Sequence, residues 1–187
     1  MYSASKPAAL KALKKVYDWA LAQPLHPVRT TEFITKVQDF HDYAIARDGE
    51  GWRLRSSNGA LRTVRLPPAL GQPQPAASRA VAGWRQGNEG NYVHLSGPAA
   101  FLQTGNQPAA APYLFEANAR LADWQVQEGG RRVQFKLQGH VPLEFALGNT
   151  QACQVRANQR TLTAQRPAAP GPATVQLFML YAAATEI

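Results

Sequence analysis

The chain has 187 residues, a formal net charge of +8 and a 45% hydrophobic fraction. That length buries a real core and the composition excludes wholesale disorder. No run of about 18 apolar residues occurs, so no helical membrane span is expected. The one cysteine, Cys153, excludes an intrachain disulfide framework and a cysteine metal site, and is expected as a free core thiol on a strand.

Ser5-Lys6-Pro7 predicts a helix start, with Ser5 as N-cap and Pro7 in the first turn. Leu10, Leu13, Tyr17 and Leu21 recur at helical spacing, with Val16 and Ala20 alongside and Lys11, Lys14, Lys15 and Asp18 between them. Pro24 and Pro27 stop this helix, and Leu25-His26-Pro27-Val28 reads as an extended crossing. A second helix is expected from Thr30 or Thr31, with Glu32 in its first turn. Its apolar stripe is Phe33, Val37, Phe40 and Ala44, flanked by Ile34, His41 and Ile45, and it ends near Arg47-Asp48-Gly49. Two such helices are too few for an independent core, so Phe33, Val37 and Phe40 are expected to be buried against the rest of the chain or another body.

From Gly51 the period changes to two. The runs 52–57 and 60–66 flank Asn58-Gly59, which predicts a hairpin. Residues 67–79 are rich in Pro, Gln and Ala and read as a long connection. Strands follow over 91–95, 101–104, 113–116, 119–126, 132–138, 143–147, 153–157, 160–164 and 174–181, with turns at Glu128-Gly129-Gly130 and Asn158-Gln159. Val133, Phe135 and Leu137 alternate with polar neighbours, the pattern of a half-buried antiparallel strand. The predicted fold is mainly β: an antiparallel, jelly-roll-like β-sandwich of about ten strands over 49–187, preceded by a helical segment over 1–48.

The arginines are spread singly, from Arg53 and Arg55 to Arg160 and Arg166, and accompany no nucleic-acid-binding module, so no nucleic-acid partner is expected. His26, His41, His94 and His140 have no ligand-spaced partners. No nucleophile elbow, phosphate loop or dinucleotide fingerprint is present. Neither a metal nor another cofactor is expected, and catalysis by this segment alone is not.

The stretch from Gly83 to His94 gathers Trp84, Arg85, Asn91, Tyr92 and His94 among glycines. Sugars are held by aromatic faces, planar amides and charged groups, so these five are the candidate carbohydrate-binding residues. The competing expectation is a strand pair with Trp84 and Tyr92 in the core and a polar tip. By strand parity Val93 and Leu95 face the core while Tyr92 and His94 face out. Trp124 shares a face with Val126 and is expected in the core; Trp19 and Trp52 are also expected to be structural, and His140 to bond backbone at a strand end.

Tyr2-Ser3-Ala4-Ser5-Lys6-Pro7, Tyr17-Asp18-Trp19-Ala20 and Pro27-Val28…Glu32-Phe33 resemble the closing segment of a polysaccharide deacetylase barrel. With Gly51-Trp52, Leu61 to Pro67 and Asn91 to Leu95, the chain resembles the C-terminal part of PelA-type proteins of Pel exopolysaccharide biosynthesis. The resemblance implies a periplasmic, biofilm-related setting and a parent hydrolase with deacetylase and glycoside hydrolase activities, whose metal ligands lie upstream. It implies a galactosamine-type amino-sugar polysaccharide as partner, along with the rest of the parent deacetylase. Other proteins of the secretion complex are the alternative partner, for a docking module.

Overall fold

The computed structural model describes residues 6–23, 28–107, 110–139, 142–165, 175–181 and 184–187. The expectations for Ser5, Pro24, Leu25, His26, Pro27, His140, Arg166 and Thr174 lie outside the described residues. The chain divides into two compact units, Met1–Ile34 and Thr35–Ile187.

Helix α1 spans Pro7–Leu21, with Pro7 in the first turn and Lys6, which makes no side-chain cap, at the N-cap position. None of its residues is buried, and Trp19 is 64% exposed. Trp19 is therefore not a core residue. Helix α2 spans Thr30–His41, with Glu32 in its first turn. It ends earlier than its apolar spacing suggests. Ala44–Asp48 forms strand β1, which turns at Gly49 (φ +59°) and pairs antiparallel with β2, Gly51–Arg55. Within this chain the α2 stripe is not buried: Phe33 is 57% and Phe40 71% exposed, and Val37 is exposed too. The buried residue of α2 is instead Asp39.

Asp39 explains a second departure. Residues 52–57 and 60–66 do not pair with each other. After β2 the chain leaves for another sheet as β3, Thr63–Leu66, and the Asn58-Gly59 loop between them wraps the Asp39 carboxylate. Ser56 Oγ donates to both carboxylate oxygens at 2.8 and 2.6 Å. The Ser57, Asn58 and Leu61 amides donate at 2.8, 3.2 and 2.8 Å. Asn58 Nδ2 adds a bond to the Thr35 carbonyl. Backbone donors that a hairpin ladder would use are spent on a buried charge. Burial on its own would raise the Asp39 pKa. The bonds from Ser56 and from the Leu61, Asn58 and Ser57 amides outweigh it and hold the carboxyl well below the usual range.

The remaining strands are β4 (Gln72–Pro73), β5 (Val81–Gly87), β6 (Gly90–Leu95), β7 (Ala99–Gly105), β8 (Tyr113–Ala117), β9 (Arg120–Gln127), β10 (Arg132–Gln138), β11 (Leu143–Gly148), β12 (Arg156–Ala157), β13 (Arg160–Thr161), β14 (Val175–Leu180) and β15 (Ala184–Glu186). The segment 67–79 is thus not a bare connection, because β4 pairs with β7. Residues 153–155 and 162–164 are not strand, and Cys153 is an exposed thiol in a bend rather than a core residue.

The architecture is β-sandwich-like, with a six-stranded sheet ordered β14-β11-β8-β5-β6-β3 between two smaller ones. One face of this sheet shares a core with β1-β2-β7-β4, through Leu54, Leu102, Trp84, Val93, Leu95 and Tyr113. A second core joins Leu114, Phe145, Leu147 and Phe178 to Phe135 and Leu137 of β15-β10-β9. Strands covered on both faces read as continuous apolar runs. Tyr113-Leu114-Phe115 and Phe145-Ala146-Leu147 are such runs, buried residue after residue. Strand β10, central in the three-stranded sheet, alternates as expected, with Phe135 and Leu137 buried. Opposite it, β9 carries an irregularity: Gln134 pairs Gln125 but Lys136 pairs Ala122, and Asp123 has φ +54°. The extra residue breaks strand parity. The break falls at Asp123, so Leu121 and Trp124 share one core; Trp124 packs on Phe135 with ring centroids 4.9 Å apart, and Val126, opposite Val133, keeps the face of Trp124 but is itself exposed.

Candidate functional site

Gly83 to His94 forms a hairpin. β5 and β6 pair from Gly87↔Gly90 back to Val81↔Leu95 around the turn residues Asn88-Glu89. Pairing sets the faces. Trp84 lies opposite Val93, while Arg85 lies opposite Tyr92 and Gly83 opposite His94. Val93 and Leu95 are buried as parity predicts, and Tyr92 and His94 are half-buried on the other face.

Trp84 is consequently lost as a stacking platform. It is 9% exposed and stacked on Tyr113, with ring centroids 6.1 Å apart and planes 12° from parallel. Gly148 leaves the room that the Tyr113 ring fills, since a Cβ there would overlap it. Asn91 also faces away from Tyr92. It is 7% exposed, and its Nδ2 donates to the Gly71 carbonyl at 3.3 Å beside a separate hollow of about 250 Å3. Residue type suggested a sugar-binding tryptophan and amide; pairing register puts both on the core face.

Arg85, Tyr92 and His94 do converge. They line one hollow of about 520 Å3 together with Arg62, Glu116 and Arg120, and with apolar Leu114, Ala117 and Leu121. The hollow lies where β5 and β8 part. These strands are paired in parallel only at Gly83↔Leu114. Side chains span the gap beyond that point. Arg85 Nη1 donates to Glu116 Oε2 at 2.6 Å, and the Arg85 guanidinium carbon lies 5.9 Å from the Phe115 ring centre. His94 Nε2 lies 2.8 Å from the Phe115 carbonyl oxygen. A carbonyl only accepts, so Nε2 carries the proton and Nδ1 of the neutral ring is left as an acceptor. Burial lowers the His94 pKa, as does Arg85 to a lesser degree; the Phe115 bond and Glu116 act the other way.

Arg62, which residue pattern alone did not single out, enters through the Asp39 loop. Its Nε donates to the Gly59 carbonyl at 2.9 Å, and its Nη1 is buried with no partner among the described residues. The signal for it was the polar run Ser56-Ser57-Asn58-Gly59, which suits an Asx- or Ser-type loop as well as a hairpin.

Among the described residues, no group of three or more His, Cys, Asp or Glu side chains is placed to hold a metal ion, and no helix is long and apolar enough to cross a membrane. Comparison with protein-family models, with curated proteins and with solved structures finds no match to this chain.

Proposed function

We propose that this chain is a non-catalytic carbohydrate-binding module of an exopolysaccharide-modifying protein, and that the hollow between β5 and β8 receives a sugar unit. The observation that carries this reading is the convergence of Arg85, Tyr92 and His94 with Glu116 on one concave, partly apolar surface. Concave sites with a few oriented polar groups are the usual form of small-ligand sites. Tyr92 offers an aromatic face. A non-catalytic role is supported by the commitments of the hollow's titratable groups: Glu116 is paired with Arg85, and His94 with a backbone carbonyl.

Charge narrows the ligand. Three arginines line the hollow against one carboxylate, Glu116, itself already paired. A protonated amino sugar meets like charge there. The neutral, N-acetylated unit of a galactosamine-type polymer suits the hollow better. The family resemblance supports the same setting: a Pel-type deacetylase acting on amino-sugar polysaccharide in the periplasm. Titration calorimetry with N-acetylgalactosamine oligomers and their deacetylated counterparts tests this. The acetylated oligomer binds more tightly if the reading holds; equal binding, or none at millimolar sugar, counts against it.

A second reading, docking to the rest of the deacetylase or to a secretion-complex protein, is favoured by a different observation. Val16, Tyr17, Trp19 and Leu21 of α1 and Phe33 and Phe40 of α2 are all exposed. Helices that expose several large apolar side chains are candidates for partner contact.

A further inference from the structure

The geometry points to an oxyanion subsite formed by Arg62 and Arg120 in the hollow of Arg85, Tyr92 and His94, taking a carboxylate or phosphate group carried by the ligand. The inference rests on the reading of that hollow as a ligand site, and adds a charged group to what it recognises.

Both arginines line the same hollow. Arg85 is neutralised there by Glu116 at 2.6 Å. Neither Arg62 nor Arg120 has such a partner among the described residues. Arg62 is half-buried and fixed through Nε to the Gly59 carbonyl, and its Nη1 is buried without an acceptor among the described residues. A buried guanidinium N–H left unpaired is costly, and a turn of the guanidinium toward an oxygen in the hollow would relieve that cost. Arg120, at the start of β9, is exposed, and so is free to swing toward a ligand. The two positive charges act on each other: burial depresses the Arg62 pKa most, and Arg120 depresses it further.

Asp39 pulls the other way, but it is already held by Ser56, Ser57, Asn58 and Leu61. Asp39 therefore acts as a positioning residue. It fixes the 56–61 loop, and that loop's Gly59 carbonyl aims Arg62. Two convergent guanidiniums with spare donors match the oxygens of a carboxylate or a phosphate. An arginine pair that repels in the empty site and is bridged by an anion also ties ligand binding to stability.

The test uses the full chain with three probes: inorganic phosphate, a galacturonate oligomer and a neutral N-acetylgalactosamine oligomer. Arg120→Gln is the primary variant because Arg120 is exposed; Arg62→Lys keeps charge but removes the fork. Galacturonate affinity is expected to fall roughly tenfold in each variant, the scale of one lost charge-assisted pair, and neutral-oligomer affinity to fall clearly less. Phosphate is expected to raise the melting temperature of the parent above that in chloride of equal ionic strength, and to raise that of Arg120→Gln less. Phosphate without galacturonate binding assigns the subsite to phosphate esters; both binding leaves it general for oxyanions. Unchanged galacturonate affinity in Arg120→Gln, equal phosphate effects in parent and variant, or no binding of either anion overturns the subsite. Neutral-oligomer binding with no anion effect refutes the subsite and leaves the saccharide reading standing; Arg120-dependent anion binding with no neutral-oligomer binding does the reverse.

Discussion

His94 reaches across the side-chain-free Gly83 and donates from Nε2 to the Phe115 carbonyl at 2.8 Å, tying β6 to β8 over the intervening β5. The bond satisfies a carbonyl close to the point where the β5–β8 ladder stops, and it depends on there being nothing but backbone at residue 83. A Cβ at Gly83 would run into the Leu114 backbone. Gly83→Ala is expected to destabilise the β unit by about 3 kcal/mol, at the upper end for overpacking. Urea unfolding measures it, and a loss under about 1 kcal/mol would show that β5 shifts freely.

The burial of His94 sets a pH dependence. The folded His94 pKa lies below the ordinary imidazole value of 6.5, through burial first, opposed by the Phe115 bond and Glu116 and aided by Arg85. The unfolded chain therefore binds the proton more readily. The stability linked to this group is complete above about pH 6.5 and is lost as pH falls from there through the lower folded value. Melting curves between neutral and mildly acidic pH are expected to show the decline, and His94→Asn to flatten it. A parallel decline in the variant would assign the dependence elsewhere.

Helix α2 is anchored by polarity. Asp39→Ala removes the acceptor for Ser56 and for the Ser57, Asn58 and Leu61 amides, and is expected to cost about 3 kcal/mol or more, as buried donors lose their partner. Phe40→Ala is expected to change stability by less than about 0.5 kcal/mol, as exposed substitutions do, because Phe40 is 71% exposed. Thermal melts of the two variants side by side check the contrast. A large loss in Phe40→Ala would bring back the apolar-stripe expectation.

Trp84 and Tyr92 are expected to separate fold from binding. Trp84→Ala empties a core position stacked on Tyr113 and is expected to cost about 3–5 kcal/mol. Tyr92→Ala, on the opposite face and lining the hollow, is expected to leave the melt nearly unchanged and to weaken acetylated-oligomer binding by about 1 kcal/mol, the scale of an aromatic contact. A Trp84→Ala variant that melts like the parent and binds less would restore Trp84 as the sugar platform.

The β character and most strand positions were legible because alternation and turn residues act locally. Val133 to Leu137, and the outward faces of Tyr92 and His94, followed from period two alone. What failed depended on partners distant in the chain. Asn58-Gly59 looks locally like a hairpin turn, but Asp39, nineteen residues before Asn58, claims its amides. Trp84 looks like a surface aromatic among glycines until register places it opposite Val93. Helical spacing in α2 marked an apolar stripe correctly, but spacing alone carries no information on whether anything covers it. The hollow itself was half legible: Arg85, Tyr92 and His94 are near in sequence, whereas Arg62, Glu116 and Arg120 arrive through sheet order.

The most direct test is to map amide shifts on the isotope-labelled chain during titration with an N-acetylgalactosamine oligomer. The account predicts saturable shifts at Arg62, Thr63, Arg85, Tyr92, His94, Glu116 and Leu121, with little change at Gly71, Gln72 and Asn91 around the smaller hollow. Shifts confined to the smaller hollow or to α1, or no shifts at millimolar oligomer, would contradict it.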